Sequence, residues 1–144
     1  MPEFRYAKGR ITDSIRFISE EMKEFKDDYA PRNRSEYDAD RKLQKLMDRT
    51  VENILTALIE VCGTFLTQQE IYAESYADVL RKSAQNLGLN SEDQESLGKM
   101  AFVRNRLAHR YLNFRWQAIQ DFSLKRDLVV RVLSELLKKE EETH

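Results

Sequence analysis

Apolar residues recur along this chain at three- and four-residue spacing, the period of amphipathic helices rather than of strands. Ile11, Ile15, Ile18, Met22 and Phe25 form the first run and predict a helix from about Thr12 to Tyr29. Pro31 should stop it, with residues 31–34 as the first loop. Ser35-Glu36-Tyr37-Asp38 has the form of a capping box and is expected to open a long second helix. Its buried face reads Leu43, Met47, Val51, Ile54, Leu55, Leu58, Ile59, Cys62, Phe65 and Leu66. Thr67-Gln68-Gln69-Glu70 repeats the capping-box form and introduces a third helix, which Gly88 should end. Ser91-Glu92-Asp93-Gln94 caps a fourth. Asn113 to Ile119 reads as irregular or briefly helical. From about Ser123 a last helix carries Leu124, Leu128, Val132, Leu133, Leu136 and Leu137, and is expected to fray into Glu140-Glu141-Glu142. With no repeat and no low-complexity linker, the pattern predicts an all-α, single-domain bundle of about five helices over residues 1–144.

Composition strengthens this reading. Four Gly and two Pro stand where average usage would give about 17 together, a shortage that argues against turn-rich β folds and doubly wound sheets. The single cysteine, Cys62, cannot form an internal disulfide and sits in an apolar run as a packing residue, which fits a reducing compartment. No uninterrupted apolar stretch approaches the roughly 20 residues of a bilayer span, and MPEFRYAKGR has no apolar core of a secretory signal. A cytoplasmic protein without membrane attachment is therefore expected. The net charge of −1 conceals an asymmetry. From Ser96 to Gln120 there is no acidic residue, whereas Lys99, Arg104, Arg106, Arg110 and Arg115 lie within that stretch. A basic stretch on an acidic body suits a phosphate-bearing partner.

Motifs for most chemistries are missing: there is no Gly-rich phosphate loop, no nucleophile elbow and no Cys/His cluster at metal spacing. The two histidines, His109 and His144, leave a His-based metal site little to work with. The fourth helix remains. Projected at about 100° per residue, Leu97, Met100, Ala101, Leu107, Ala108, Tyr111 and Leu112 share an apolar face that also holds Arg104. Asn105 and His109 fall on one flank, and Lys99, Arg106 and Arg110 form a strip opposite the apolar face. On periodicity alone, Arg104 reads as an arginine paired with a neighbouring carboxylate, His109 as a hydrogen-bonded structural residue and the basic strip as a solvated face.

The order of residues adds a resemblance. Arg104-Asn105-Arg106-Leu107-Ala108-His109-Arg110-Tyr111 reads R-N-x-x-x-H-x-Y and resembles the signature of the HepT-like toxins of the HEPN superfamily. The run YADVLRKSAQNLGL, the short gap, FVRNRLAHRYLNF and the closing amphipathic helix also look like that family's second half. The first two helices match in length and character more than in residues. The resemblance implies a small all-α ribonuclease toxin that works as a two-fold homodimer, with the active site assembled across it. It implies a nucleotidyltransferase antitoxin of the MntA type, which silences the toxin by transferring AMP from ATP to the motif tyrosine. Carried over, Arg104 and His109 would be catalytic, Tyr111 the AMP acceptor and Asn105 a supporting residue. The ribonuclease itself would need no cofactor, ATP and a divalent metal serving only the antitoxin. Lys99, Arg106 and Arg110 are assigned to RNA phosphates on charge grounds alone.

The residue types suit metal-free RNA cleavage. Histidine, with a reference pKa of about 6.5, can act as base or acid near neutrality, and a guanidinium offers a rigid fork for phosphate oxygens. On an ideal helix Arg104 and His109 diverge by roughly 140°, so two copies about a two-fold axis could present one of each to a phosphate. A second reading stays open: a catalytically weak helical dimer that binds a nucleotide or a nucleotidyltransferase partner. Arg104 locked in an intrachain salt bridge away from any groove would favour it. A plain structural bundle is the third. No acidic residue can be named to orient His109, although Asp48 and Glu52 lie one turn apart on the second helix.

Overall fold

The computed structural model describes residues 2–109 and 113–142. Among them are seven α-helices and no strand: α1 (Pro2–Glu24), α2 (Arg34–Ala39), α3 (Arg41–Gln68), α4 (Tyr76–Asn86), α5 (Ser91–Ala108), α6 (Arg115–Leu124) and α7 (Arg126–Glu142). α1 runs on through a π-helical turn at Phe25–Tyr29 before the chain bends near Pro31. The all-α expectation holds. The excess over five helices has two local causes.

The first lies at Asp40. The predicted second helix is broken there, with φ −129° and ψ 101°, and the Asp40 carboxylate accepts from the Lys42 and Leu43 N–H groups to start α3 afresh. The capping box of the preceding turn is also shifted, from Ser35 to Asn33. The Asn33 side chain accepts from Glu36 N–H at 2.8 Å while Glu36 accepts from Asn33 N–H at 3.1 Å. The second cause is α6, a ten-residue helix where Asn113 to Ile119 reads as irregular or briefly helical. Ala118, Ile119 and Phe122 bury its inner face, so packing rather than local propensity secures it.

Other boundaries moved for similar reasons. α1 begins at Pro2, not near Thr12, in keeping with the tolerance for proline at a first helical position. Thr67 caps nothing: α3 continues to Gln68, and α4 starts from Ser75, whose hydroxyl accepts from Asp78 N–H at 3.1 Å. Asn90 rather than Ser91 caps α5, accepting from Asp93 N–H at 2.8 Å. Gly88 does end the α4 region. It adopts φ +84°, and Leu89 N–H returns to the Ala84 carbonyl at 3.0 Å. α7 stays helical through Glu142, with Glu140 buried, where fraying was expected.

α3 is the central element. It packs against α1, α4, α5 and α6, and it contributes Met47, Val51, Ile54, Leu55, Leu58, Cys62 and Leu66 to the interior. By length and composition it is the one described helix that could cross a bilayer, but in this fold its apolar stripe is spent on its neighbours. Phe25 and Phe122 close the core edge to face at 5.1 Å and 89°. Burial pushes the Cys62 thiol up to about 12, as befits a packing residue. α4 and α5 form the closest helix pair, and Gly98 permits it. A Cβ there would lie 2.7 Å from Arg81 Cγ. This pairing fixes the azimuth of α5, the helix that carries the motif.

Candidate functional site

α5 buries Leu97, Met100, Ala101, Val103 and Leu107, which leaves Arg104 at the margin of the core, half-buried. A guanidinium in such a place needs acceptors, because partial desolvation penalises a charge. Arg104 Nε donates to Thr56 Oγ1 of α3 at 3.2 Å, and Nη1 donates to Asn105 Oδ1 at 3.2 Å. Its Cζ lies 5.8 Å from the centre of the Tyr76 ring, within cation–π range. All three contacts are with neutral groups. Among the described residues no carboxylate pairs with Arg104, which corrects the expectation of a structural ion pair. Among the described residues, two of its five N–H donors are thus engaged.

α5 stops sooner than the sequence suggests. Ala108 is its last helical residue. His109 has φ −96° and ψ 78°, and its N–H still donates to the Asn105 carbonyl at 3.0 Å. His109 is therefore an exposed residue at the helix exit and not on its flank, so the 140° divergence from Arg104 no longer applies. Arg110 and Tyr111, together with Leu112, lie outside the described residues. The chain is described again at Asn113, and Phe114 begins α6 with φ +72°. That left-handed conformation is unusual for an aromatic residue, and Phe114 is largely exposed.

What anchors the far side of the exit is a polar cluster that sequence reasoning did not find. Arg115 Nη1 donates to Asp48 Oδ2 at 2.9 Å, and Tyr37 Oη donates to Asp48 Oδ1 at 2.7 Å. Asp48 is buried, and the Trp116 ring lies 5.3 Å from that of Tyr37. The cluster ties α2, α3 and the start of α6 together, and so holds the chain just beyond the motif. Asp48 alone could be singled out from sequence as an acid on α3. Its partners are 11 and 67 residues away, and no periodicity reports such distances.

The other predicted residues divide into two places. Asn105 joins Arg104. Lys99 and Arg106 do not; they line a separate cleft of about 540 Å³ with Phe102, Asp121, Leu124 and Lys125. No group of three or more His, Cys, Asp or Glu side chains among the described residues could hold a metal ion.

This helical bundle, with Arg104 on a late helix and His109 at that helix's exit, matches a known family model. The model, described as Ribonuclease HepT-like, matches residues 18–139. The chain belongs to the HepT-like ribonuclease family. No curated protein matches it significantly.

Proposed function

We propose that this HepT-like protein is the toxin of a toxin–antitoxin pair, a cytoplasmic, single-domain, homodimeric ribonuclease that cleaves RNA without a metal ion. The observation that carries the reading is Arg104, a half-buried guanidinium held, among the described residues, by Thr56, Asn105 and Tyr76. A structural arginine would be expected to face a carboxylate. This one retains donors for a phosphate, which speaks against a fixed salt bridge and for a role toward a ligand.

In the proposed reaction His109 accepts the 2′-hydroxyl proton. The 2′-oxygen then forms a bond to phosphorus while the bond from phosphorus to the 5′-oxygen breaks. Arg104 stabilises the negative charge that gathers on the non-bridging oxygens, the kind of preorganised electrostatic contribution that is commonly the largest in such reactions. A second acid must protonate the departing 5′-oxygen, and His109 of a partner copy supplies it in a two-fold assembly. Family membership and the exposure of His109 support that assembly. Asn105 holds the guanidinium in place, and Arg110 with Lys99 and Arg106 attracts the RNA backbone.

Neutralisation by a nucleotidyltransferase antitoxin, with ATP and a divalent metal as the antitoxin's own requirements, completes the proposal. Tyr111 is its AMP acceptor, two residues after His109. A phosphate attached there would add negative charge to the motif and compete with substrate.

The test is cleavage of total RNA in EDTA by purified protein whose intact mass shows Tyr111 unmodified. Cutting is expected, and it should cease after prior incubation with the antitoxin, ATP and a divalent metal, with EDTA added only afterwards, as the mass rises by one AMP. An unmodified, folded protein that leaves RNA intact would overturn the ribonuclease reading.

A further inference from the structure

The cleft between α5 and the α6–α7 junction combines two features that point to one kind of ligand. Phe102 is 60% exposed, on a helix whose other large apolar side chains are buried. Lys99, Phe102 and Arg106 stand at i, i+3 and i+7, so they form one face of α5. Lys125 closes the opposite wall next to Leu124, which is 80% exposed. Among the described residues no carboxylate pairs with any of the three cations. The acid within the cleft, Asp121, accepts instead from Gln117 at 3.0 Å.

In the isolated chain the cleft holds three cations against one carboxylate, and the Phe102 ring stays wet. A ligand that alternates phosphates with flat aromatic rings relieves both, and the volume of about 540 Å³ falls within the range of small-molecule pockets. Duplex RNA hides its base faces within the stack, so a single strand is the form that fits.

The geometry points to this cleft as a single-stranded RNA subsite, in which an unstacked base lies on the Phe102 ring and the adjoining phosphates meet Lys99, Arg106 and Lys125. The assignment rests on the ribonuclease reading and deepens it. Phe102 and Arg104 project about 160° apart around α5, so a strand seated in the cleft must cross the helix to reach Arg104. The subsite therefore binds nucleotides beside the scissile one and selects unpaired RNA.

Anisotropy of a fluorescent single-stranded oligoribonucleotide with the His109→Ala protein, compared with the same sequence in a duplex, tests this. The single strand should bind more tightly. Phe102→Ala in that background should weaken it about tenfold, within the range for loss of one base–aromatic stack. Lys125→Gln should lower the slope of log affinity against log salt by about 0.7, the value for one phosphate contact on a single strand. Light scattering should give the same particle mass for every variant. Unchanged affinity in Phe102→Ala, or a change of mass in place of affinity, would overturn the subsite, the latter giving the cleft to a second copy of the chain. If wild-type protein cleaves RNA while Phe102→Ala binds normally, the subsite alone fails. If wild-type protein neither binds nor cleaves, the ribonuclease reading falls with it.

Discussion

Two arginines reach the same helix from opposite sides of the motif, and their surroundings differ in one respect. Arg115 meets the buried carboxylate of Asp48 at 2.9 Å. Arg104 meets the hydroxyl of Thr56 at 3.2 Å, eight residues or about 12 Å further along α3. Both are half-buried, so both give up hydration. Only Arg115 recovers the loss through an opposite charge. A charge left half-desolvated among neutral acceptors is a poor stabilising device and a good phosphate receptor, because an arriving anion finds it already positioned. The comparison fits a stabilising role for Arg115 and the proposed catalytic role for Arg104.

The largest effect that would sharpen this contrast comes from His109, which follows Arg104 by five residues in the motif and is exposed. His109→Ala should lower RNA cleavage by about 10²- to 10⁴-fold, the usual range for a general acid–base residue. It should cost less stability in urea unfolding than Asp48→Ala does, because the His109 side chain is exposed and Asp48 is buried. A variant that loses stability as well as activity would blur the distinction.

Next comes the other side of the pair. Asp48→Ala removes a buried acceptor from both Arg115 and Tyr37 and should cost about 2–4 kcal/mol of unfolding free energy, measured in urea. A cost comparable to that of a surface substitution would mean that the pair does not anchor the start of α6. Thr56→Val probes the neutral anchor of Arg104 with little change in shape. Loss of one hydrogen bond should reduce cleavage about fivefold and cost about 1 kcal/mol of unfolding free energy, well short of Asp48→Ala.

The smallest effect is read at Cys62. With its thiol pushed up to about 12 by burial, the group is almost wholly protonated at pH 8, and a thiol reagent should label the native protein only through opening of the core. Asp48→Ala should speed that labelling much more than Thr56→Val. Equal acceleration in both would place Thr56 among the supports of the fold.

Much of the bundle is visible in the sequence because burial imposes a period. Every apolar position named for α3 is buried, and the Gly88 stop is realised by a positive φ. The breaks are harder to see, since they depend on which of several polar residues bonds a helix end. Asn33, Asp40, Ser75 and Asn90 act as caps where Ser35, Thr67 and Ser91 carry equally good signals. α6 escapes for a different reason, because its few apolar residues show no clear face until Phe122 meets Phe25. For the site, residue order locates Arg104, Asn105 and His109, but not their surroundings. Thr56 and Tyr76 come to Arg104 across 48 and 28 residues, and the stop of α5 at Ala108 takes His109 off the helix. Lys99 and Arg106 carry the expected charge, yet only the folded chain sets them with Phe102 and Lys125 in a cleft apart from Arg104.

The most direct test of the contrast is RNA cleavage in EDTA by Arg104→Ala, with urea unfolding measured on the same preparation. Loss of a guanidinium that stabilises the transition state should lower cleavage by about 10²- to 10³-fold, with unfolding free energy within about 1 kcal/mol of wild type. A folded Arg104→Ala protein that cleaves as wild type does, or one destabilised as much as Asp48→Ala, would contradict the account.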